Sequence, residues 1–284
     1  MSKVLACIDK STRATAVCDY AAWSAHRLLA ALEFLHVLDR QPERASMADF
    51  SGAIGIDAQE NLLEQLALLD EQRSKLAQEH GRQILQAAAE RAESRGSIAA
   101  TVLQRHGPLI ETLLELEPVT RLIVMGQHHI PGPASKWSLD QNAERAVRSL
   151  SRPMLVVAGD FHPPERIVIA FDGSPTGRKM VGTVAASPLL KGLACHIIMV
   201  AEKSLAARDT LAWAAKQLAD AGFSTTVTQR AGDADAVLRD YTSEVQADLL
   251  IMGAYGHSRI RHLIMGSTTS TLLRTSPVPI LILR

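Results

Sequence analysis

The glycine and hydroxyl residues near the C-terminus have the types and spacing of an anion-binding loop. Gly253, Gly256 and Gly266 follow a strongly apolar run, and Ser267 and Thr268 stand at the start of a helical pattern. Glycine lets the backbone approach an anion closely, and the free N–H groups of a helix N-terminus attract negative charge. The two hydroxyl groups add hydrogen-bond donors. This spacing predicts a phosphate site between a buried strand and a helix.

A carboxylate earlier in the chain can complete such a site. Asp172 follows the apolar run Arg166–Phe171, so it is expected at the carboxyl end of a strand, across the same crevice. There it could accept hydrogen bonds from ribose hydroxyls, which makes the crevice a nucleotide site. The alternative interpretation is structural, because Asp before Gly-Ser-Pro is a common turn and helix-capping pattern.

Two common nucleotide motifs are excluded by counting. A Walker loop needs four residues between its glycines and then a lysine, whereas three residues separate Gly173 from Gly177 and Arg178 follows. A Gly-x-Gly-x-x-Gly fingerprint is also absent after either first strand.

The elements that must hold these residues occur twice in the chain. The runs that contain Asp9 and Val37 return 163 residues later, at Asp172 and Val200. The segment RLIVMG, which ends at Gly126, returns as DLLIMG after 127 residues. The difference between the two intervals places roughly 36 extra residues in the first half, after its second strand.

This repeat predicts an α/β fold with two tandem doubly wound domains. Short runs of consecutive apolar residues suit strands buried on both faces, and their alternation with helices predicts a five-stranded parallel sheet in each half. The segment Ala158–Glu165 (AGDFHPPE) has the composition of a linker. We therefore expect domains at residues 1–158 and 163–284.

The extra residues of the first half fall within 40–80. A loop-like stretch is followed by a long helix from about Gln59, with leucines at helical spacing at Leu62, Leu63, Leu66, Leu69 and Leu76. This stripe is interpreted as core packing or as a lid.

Composition narrows the class of protein. Thirty basic residues balance thirty acidic ones, so a dedicated nucleic-acid binder is not expected. No apolar run reaches the length of about 18 residues that a membrane span needs, and the N-terminus does not resemble a signal peptide. Cys7, Cys18 and Cys195 lie in apolar surroundings, as buried thiols of a reducing compartment do. The expected location is the cytoplasm.

The motif Gly253-x2-Gly256-x9-Gly266-Ser267, downstream of an Asp-ended first strand, resembles the ATP-binding signature of the universal stress protein family in its tandem form. The resemblance covers nearly the whole chain and implies that family's fold. It also implies a stress-response role and one set of ATP contacts, with or without Mg²⁺. In that set Asp172 and Gly232 lie near the ribose, the backbone of Val200 meets adenine, and Gly253, Gly256, Gly266 and Ser267 hold the phosphates.

The first half departs from this pattern. It keeps Asp9, Val37 and Gly126, but His129 stands at the second glycine position and Asp140-Gln141 at the Gly-Ser position. A carboxylate aimed at a phosphate is repelled by it, so one nucleotide per chain is expected, in the second domain.

Histidines and arginines near these motifs admit other interpretations. His128 and His129, with His106, suggest a metal site, but without a carboxylate or Cys at ligand spacing they are interpreted as solvated or core histidines. The basic residues inside the glycine motif complement phosphates or form an exposed helical turn; they are His257, Arg259, Arg261 and His262.

Three functions remain open at this point. The first is a binding module whose nucleotide occupancy is read by partners. The second is a slow ATPase or phosphotransferase, for which His257 and Arg259 are the nearby candidates, although no dedicated catalytic set is found. In the third, the first domain binds an apolar ligand or acts as a pseudo-dimer partner of the second. The resemblance implies that the last strands of the two halves pair, Met154–Val157 with Val278–Leu283, and it leaves a homodimer as an alternative.

Overall fold

The architecture follows from a computed structural model, which describes residues 2–38, 56–96, 98–127, 140–253 and 267–284. Nine elements form the first half: β1 (Lys3–Cys7), α1 (Ala14–Leu28), β2 (Ala31–Leu38), α2 (Ile56–Gly96), β3 (Ala100–His106), α3 (Leu109–Leu116), β4 (Thr120–Gly126), α4 (Asp140–Ser149) and β5 (Met154–Val157). A 3-10 turn at Glu117–Val119 precedes β4.

Nine corresponding elements form the second half: β6 (Arg166–Ala170), α5 (Pro175–Ala186), β7 (Ala194–Val200), α6 (Leu205–Asp220), β8 (Thr225–Arg230), α7 (Ala234–Glu244), β9 (Leu249–Gly253), α8 (Ser267–Thr275) and β10 (Ile280–Leu283). The strand and helix order expected from the sequence repeat is confirmed in both halves.

All ten strands join one sheet in the order β3-β2-β1-β4-β5-β10-β9-β6-β7-β8. Pairing is parallel within each half, while β5 and β10 pair antiparallel at the centre, with Leu155 opposite Leu281. The expected pairing of the two last strands is confirmed. The order reads the same from either edge, so the halves are related by a pseudo-twofold axis between β5 and β10.

The strand registers repeat as closely as the sequence does. Val4 pairs with Leu122 in the first half, and Ile167 pairs with Leu249 in the second. Likewise Gly126 pairs with Val157, and Gly253 pairs with Leu283. Residues related by the sequence intervals therefore occupy equivalent places in the sheet.

Helices cover both faces of this sheet. Residues of α1, α2, α5 and α6 form one hydrophobic core with one set of strand side chains. Residues of α3, α4, α7 and α8 form a second core with the other set. Val4, Leu5 and Ala6 are all fully buried, which explains why the strands have consecutive rather than alternating apolar residues.

The long helix α2 has 41 residues, and two parts of its apolar stripe behave differently. Leu85, Ala88 and Ala92 are buried, as core packing requires. By contrast Leu66, Leu69 and Leu76 are 38%, 50% and 71% exposed, so the core interpretation is wrong for these three. The preceding loop-like stretch and the side chains of Leu62 and Leu63 lie outside the described residues, and the lid interpretation stays a prediction.

The three cysteines are free, and two of them are buried. Burial raises the pKa of Cys18 and of Cys195 to about 12, so neither forms a reactive thiolate near neutral pH. Across the described segments, no helix is both long enough and apolar enough to cross a bilayer.

Candidate functional site

The strand order creates a crevice at the carboxyl ends of β6 and β9. The chain leaves β6 through α5 on one face of the sheet, whereas β9 continues toward α8 on the other face. Ligands of doubly wound sheets bind where connections diverge in this way. Ile169 pairs with Ile251, so two residues further on Phe171 is level with Gly253. Asp172 and Gly253 therefore lie at the same edge of the sheet, on either side of the crevice.

The carboxylate of Asp172 organises the turn between β6 and α5. Its Oδ1 accepts hydrogen bonds from the N–H and the hydroxyl of Ser174, at 3.0 and 2.7 Å. Ser174 in turn caps α5, since its Oγ accepts the N–H of Gly177 at 3.0 Å. The capping interpretation is thus confirmed. These bonds use Oδ1, and the Asp172 side chain is exposed.

Two glycines of this turn serve close packing. Gly173 has φ of +72°, and a Cβ there would lie 2.9 Å from Cγ2 of Thr210 on α6. A Cβ on Gly177 would collide with Oδ1 of Asp172 and lie 3.3 Å from the ring of Phe171. Gly177 therefore leaves room for the Asp172 carboxylate at the helix start, and Gly173 lets the turn pack against α6.

Val200 ends β7, beside the turn. It pairs with Arg230 of β8, and the next residue, Ala201, donates its N–H to the carbonyl of Arg230 at 2.8 Å. Backbone groups of successive strand residues point to opposite sides, so those of Val200 point toward the end of β6. Just beyond β6, the backbone N–H of Phe171 donates to the carbonyl of Ile198 in β7 at 2.9 Å. The backbone groups of Val200 thus face the crevice side of β7.

Gly232 lies in the loop after β8, one strand further from the crevice. Its φ of +135° strongly favours glycine, and a Cβ there would lie 3.0 Å from Cγ2 of Val237. Asp233 follows and caps α7 by accepting the N–H of Ala236. A hydrogen bond with Asp235 lowers the pKa of Asp233 and raises that of Asp235. The Gly232 conformation is explained by this helix start.

The phosphate side of the site is described in part. Gly253 ends β9, and α8 begins at Ser267, which confirms the strand and the helix expected on either side of the loop. Ser267 is exposed and Thr268 half-buried at the first turn of α8. The remaining residues singled out in the loop lie outside the described residues: Gly256, His257, Arg259, Arg261, His262 and Gly266.

The first half repeats the turn but packs more closely at its glycine. Oδ1 of Asp9 accepts the N–H of Ser11 at 2.9 Å, as Asp172 does from Ser174. A Cβ on Gly126 would lie 3.1 Å from Cβ of Arg13, whereas one on Gly253 would meet Cγ2 of Thr176 at 4.0 Å. Thr176 and Arg13 are separated by the repeat interval of 163 residues. This pair was missed from the sequence, although the interval itself could have identified it.

The histidines considered for a metal site do not gather in the described part of the chain. His106 is exposed at the end of β3. No group of three potential ligands from His, Cys, Asp and Glu lies close enough to hold a metal there. His128 and His129, and the side chains of Asp140 and Gln141, lie outside the described residues.

Comparison with known proteins agrees with this architecture. The model of the universal stress protein family matches residues 1–158 and 197–284. The chain is 33% identical to the universal stress protein Slr1230 of Synechocystis sp. over 287 residues, with all of both chains covered. Its fold is similar to a universal stress protein from Archaeoglobus fulgidus DSM 4304, with a TM-score of 0.70 and 19% identity over 100% of this chain and 97% of the other.

A shorter match covers 43% of the chain. It is a universal stress protein solved in complex with cAMP, which is 23% identical, is itself covered to 98%, and has a TM-score of 0.37.

Proposed function

The chain belongs to the universal stress protein family, and from that premise we propose that its C-terminal domain, residues 163–284, binds ATP as a regulatory module. The observation that carries the proposal is the difference between the two crevices. In the second half the space beside Gly253 borders the small side chain of Thr176, whereas in the first half Arg13 packs on Gly126. We therefore propose one nucleotide per chain.

The described residues suit the parts of an adenine nucleotide. Asp172 directs Oδ2 toward a ribose hydroxyl, and the backbone of Val200 hydrogen-bonds the adenine edge. Gly232 borders the ribose from the neighbouring loop. The phosphates lie at the N-terminus of α8, held by Gly253, Gly256, Gly266, Ser267 and Thr268.

The electrostatics of the phosphate end are favourable. The first turn of α8 contains no acidic residue, so its free N–H groups face the phosphates without a competing carboxylate. Mg²⁺ is not required to hold the site together in this scheme. Mg²⁺ bound to ATP would be held by the phosphate oxygens and would reduce their mutual repulsion.

The cellular role follows from binding rather than from catalysis. We propose that ATP occupancy of the second domain is read by partner proteins in the cytoplasm. The free, buried thiols of Cys18 and Cys195 are of the kind found in proteins of a reducing compartment.

Calorimetric titration with ATP tests the site. Wild-type protein is expected to bind one ATP per chain. Gly266→Asp, which places a carboxylate directly before Ser267 at the start of α8, is expected to lose at least about tenfold in affinity, because a like charge near a phosphate costs a few kcal/mol at partly buried sites. If Gly266→Asp bound ATP with unchanged affinity, the glycines of this motif would serve only as turn residues and not as a phosphate site.

Ala219→Asp is the matched control. This substitution adds the same carboxylate at an exposed position near the C-terminal end of α6. Ala219 lies about 20 Å along α6 from Leu205, the first residue of that helix. Its affinity for ATP should equal that of the wild type. Two equal sites per chain would contradict the assignment to the second domain.

A further inference from the structure

The linker between the two halves fills a groove beside α1. After β5 the chain turns back, and the ring of Phe161 packs edge to face on Tyr20, with 4.8 Å between ring centroids. The hydroxyl of Tyr20 donates to the carbonyl of His162 at 3.3 Å, and Pro164 is buried. An extended segment with an aromatic anchor therefore covers this face near the pseudo-twofold axis.

The pseudo-twofold axis creates a second groove of the same kind beside α5. Thr183 stands where the repeat interval of 163 residues places the counterpart of Tyr20. Leu283 pairs with Gly253 as Val157 pairs with Gly126, so Leu283 is the counterpart of the residue that precedes the linker. The second groove thus occupies the equivalent place in the second half, with different side chains along its walls.

Within the described segments, no side chain plays the part of Phe161 in this second groove. It has a volume of about 490 Å³ and is lined by residues that include Leu28, Arg121, Lys179, Gly182, Thr183 and Leu281. A Cβ on Gly182 would meet no heavy atom within 4 Å. This volume is within the range of about 300–1,000 Å³ that ligand pockets have, and it accommodates one aromatic side chain with its neighbours.

The charges of the two grooves differ. In the filled groove Asp248 accepts the N–H groups of Glu165 and Arg166, both at 2.9 Å. Its counterpart in the second groove is Arg121, which donates to the carbonyl of Leu28 at 3.1 Å. Lys179 takes the place of Ala16 in the same comparison. The second groove is therefore basic and complements an acidic segment.

We propose that this groove is a docking site for an extended peptide segment of a partner protein, with an aromatic side chain next to an acidic residue. The aromatic ring packs beside Thr183 and Gly182, as Phe161 packs on Tyr20. The acidic residue lies near Lys179 and Arg121. The site lies on the α1 and α5 face and does not depend on the nucleotide proposal, so its test contains no ATP.

The linker sequence itself supplies the probe. A fluorescent peptide AGDFHPPE has the aromatic and acidic residues in adjacent positions, and its binding is measured by fluorescence anisotropy on the full chain. Binding to the wild type is expected, with loss of binding when alanine replaces the phenylalanine of the peptide. Absence of binding to the wild type, at protein concentrations up to about 1 mM, would overturn the proposal.

A substitution that fills the groove locates the site. Gly182→Leu extends a side chain into open space and is expected to weaken peptide binding at least about tenfold, because it occupies the volume of the aromatic ring. Ala219→Leu adds a leucine at an exposed position of α6 and should leave binding unchanged. Thermal unfolding confirms that both variants are folded. Equal peptide affinity in Gly182→Leu and wild type would also overturn the proposal.

Discussion

Arg13 packs its side chain directly on Gly126, at the end of the central strand β4. A Cβ on Gly126 would lie 3.1 Å from Cβ of Arg13, closer than most Cβ contacts, and 3.5 Å from Cγ2 of Val17, an ordinary contact. At the equivalent place in the second half, a Cβ on Gly253 would meet Thr176 at 4.0 Å, an ordinary contact. Among the described residues, the same glycine of the repeat thus serves close packing in one half and has only an ordinary contact in the other.

This difference predicts opposite effects for one substitution. Gly126→Ala should lower the free energy of unfolding by about 1 kcal/mol or more, since overpacking forces Arg13 to move. Gly253→Ala should change stability by less than about 0.5 kcal/mol, yet weaken ATP binding by narrowing the crevice. Urea denaturation and ATP titration of both variants check this. Equal destabilisation of the two variants would contradict it.

The turn at Asp172 depends on the absence of a side chain at Gly177. Gly177→Ala would place a methyl group against Oδ1 of Asp172 and the ring of Phe171, so we expect a loss of about 1–3 kcal/mol in stability. Gly182→Ala lies in the same helix with space around it and should be neutral, or stabilising by up to about 1 kcal/mol. Thermal and urea unfolding measure both. The expectation fails if the two alanine variants have the same stability.

Gln127 links the two halves. Its side-chain amide is buried and donates to the carbonyl of Leu273 at 2.7 Å, 146 residues further along the chain. Gln127→Leu leaves that carbonyl without its partner and should cost about 1–3 kcal/mol. Gln229→Leu is the control, because Gln229 bonds the carbonyl of Glu202 at a half-exposed position where water can replace it. A larger loss in Gln229→Leu, measured by urea denaturation, would contradict this account.

His196 makes stability depend on pH. Burial lowers its pKa, with a contribution from the positive charge of Arg166, so the folded protein resists protonation. The unfolded chain gains this proton as the pH falls through the ordinary value of 6.5, which shifts the equilibrium toward unfolding. Stability should fall from pH 6.5 downward until the lowered pKa is reached, and be unaffected by this group above that range.

His196→Gln removes the titrating group, and its side chain can still meet the hydroxyl of Tyr241, which His196 contacts at 3.1 Å. The variant should lose less stability than the wild type between about pH 6.5 and pH 5. Urea denaturation at several pH values provides the measurement. Parallel curves for the two proteins would assign the pH dependence to other groups.

Much of the candidate site could be predicted from the sequence. The Asp-Gly-Ser-Pro turn, the strand before Gly253 and the helix from Ser267 are local patterns, encoded by neighbouring residues through capping, periodicity and glycine conformations. The exposed leucines of α2 could not be predicted, because an amphipathic stripe does not specify what covers it. Leu76, for example, is 71% exposed, although it stands at helical spacing in the same leucine stripe.

The sequence by itself determined the duplication, the alternation of strands and helices, and the residues that end each strand. Only the tertiary structure decided that the expected pairing of β5 with β10 is antiparallel, and that Arg13 packs closely on Gly126 while Thr176 makes an ordinary contact at Gly253. It also decided that, among the described residues, the linker covers one groove of two. The physical reason is the range of the interactions. Turns and helix starts depend on residues a few positions apart, whereas the filling of a space depends on side chains that meet from more than a hundred residues away.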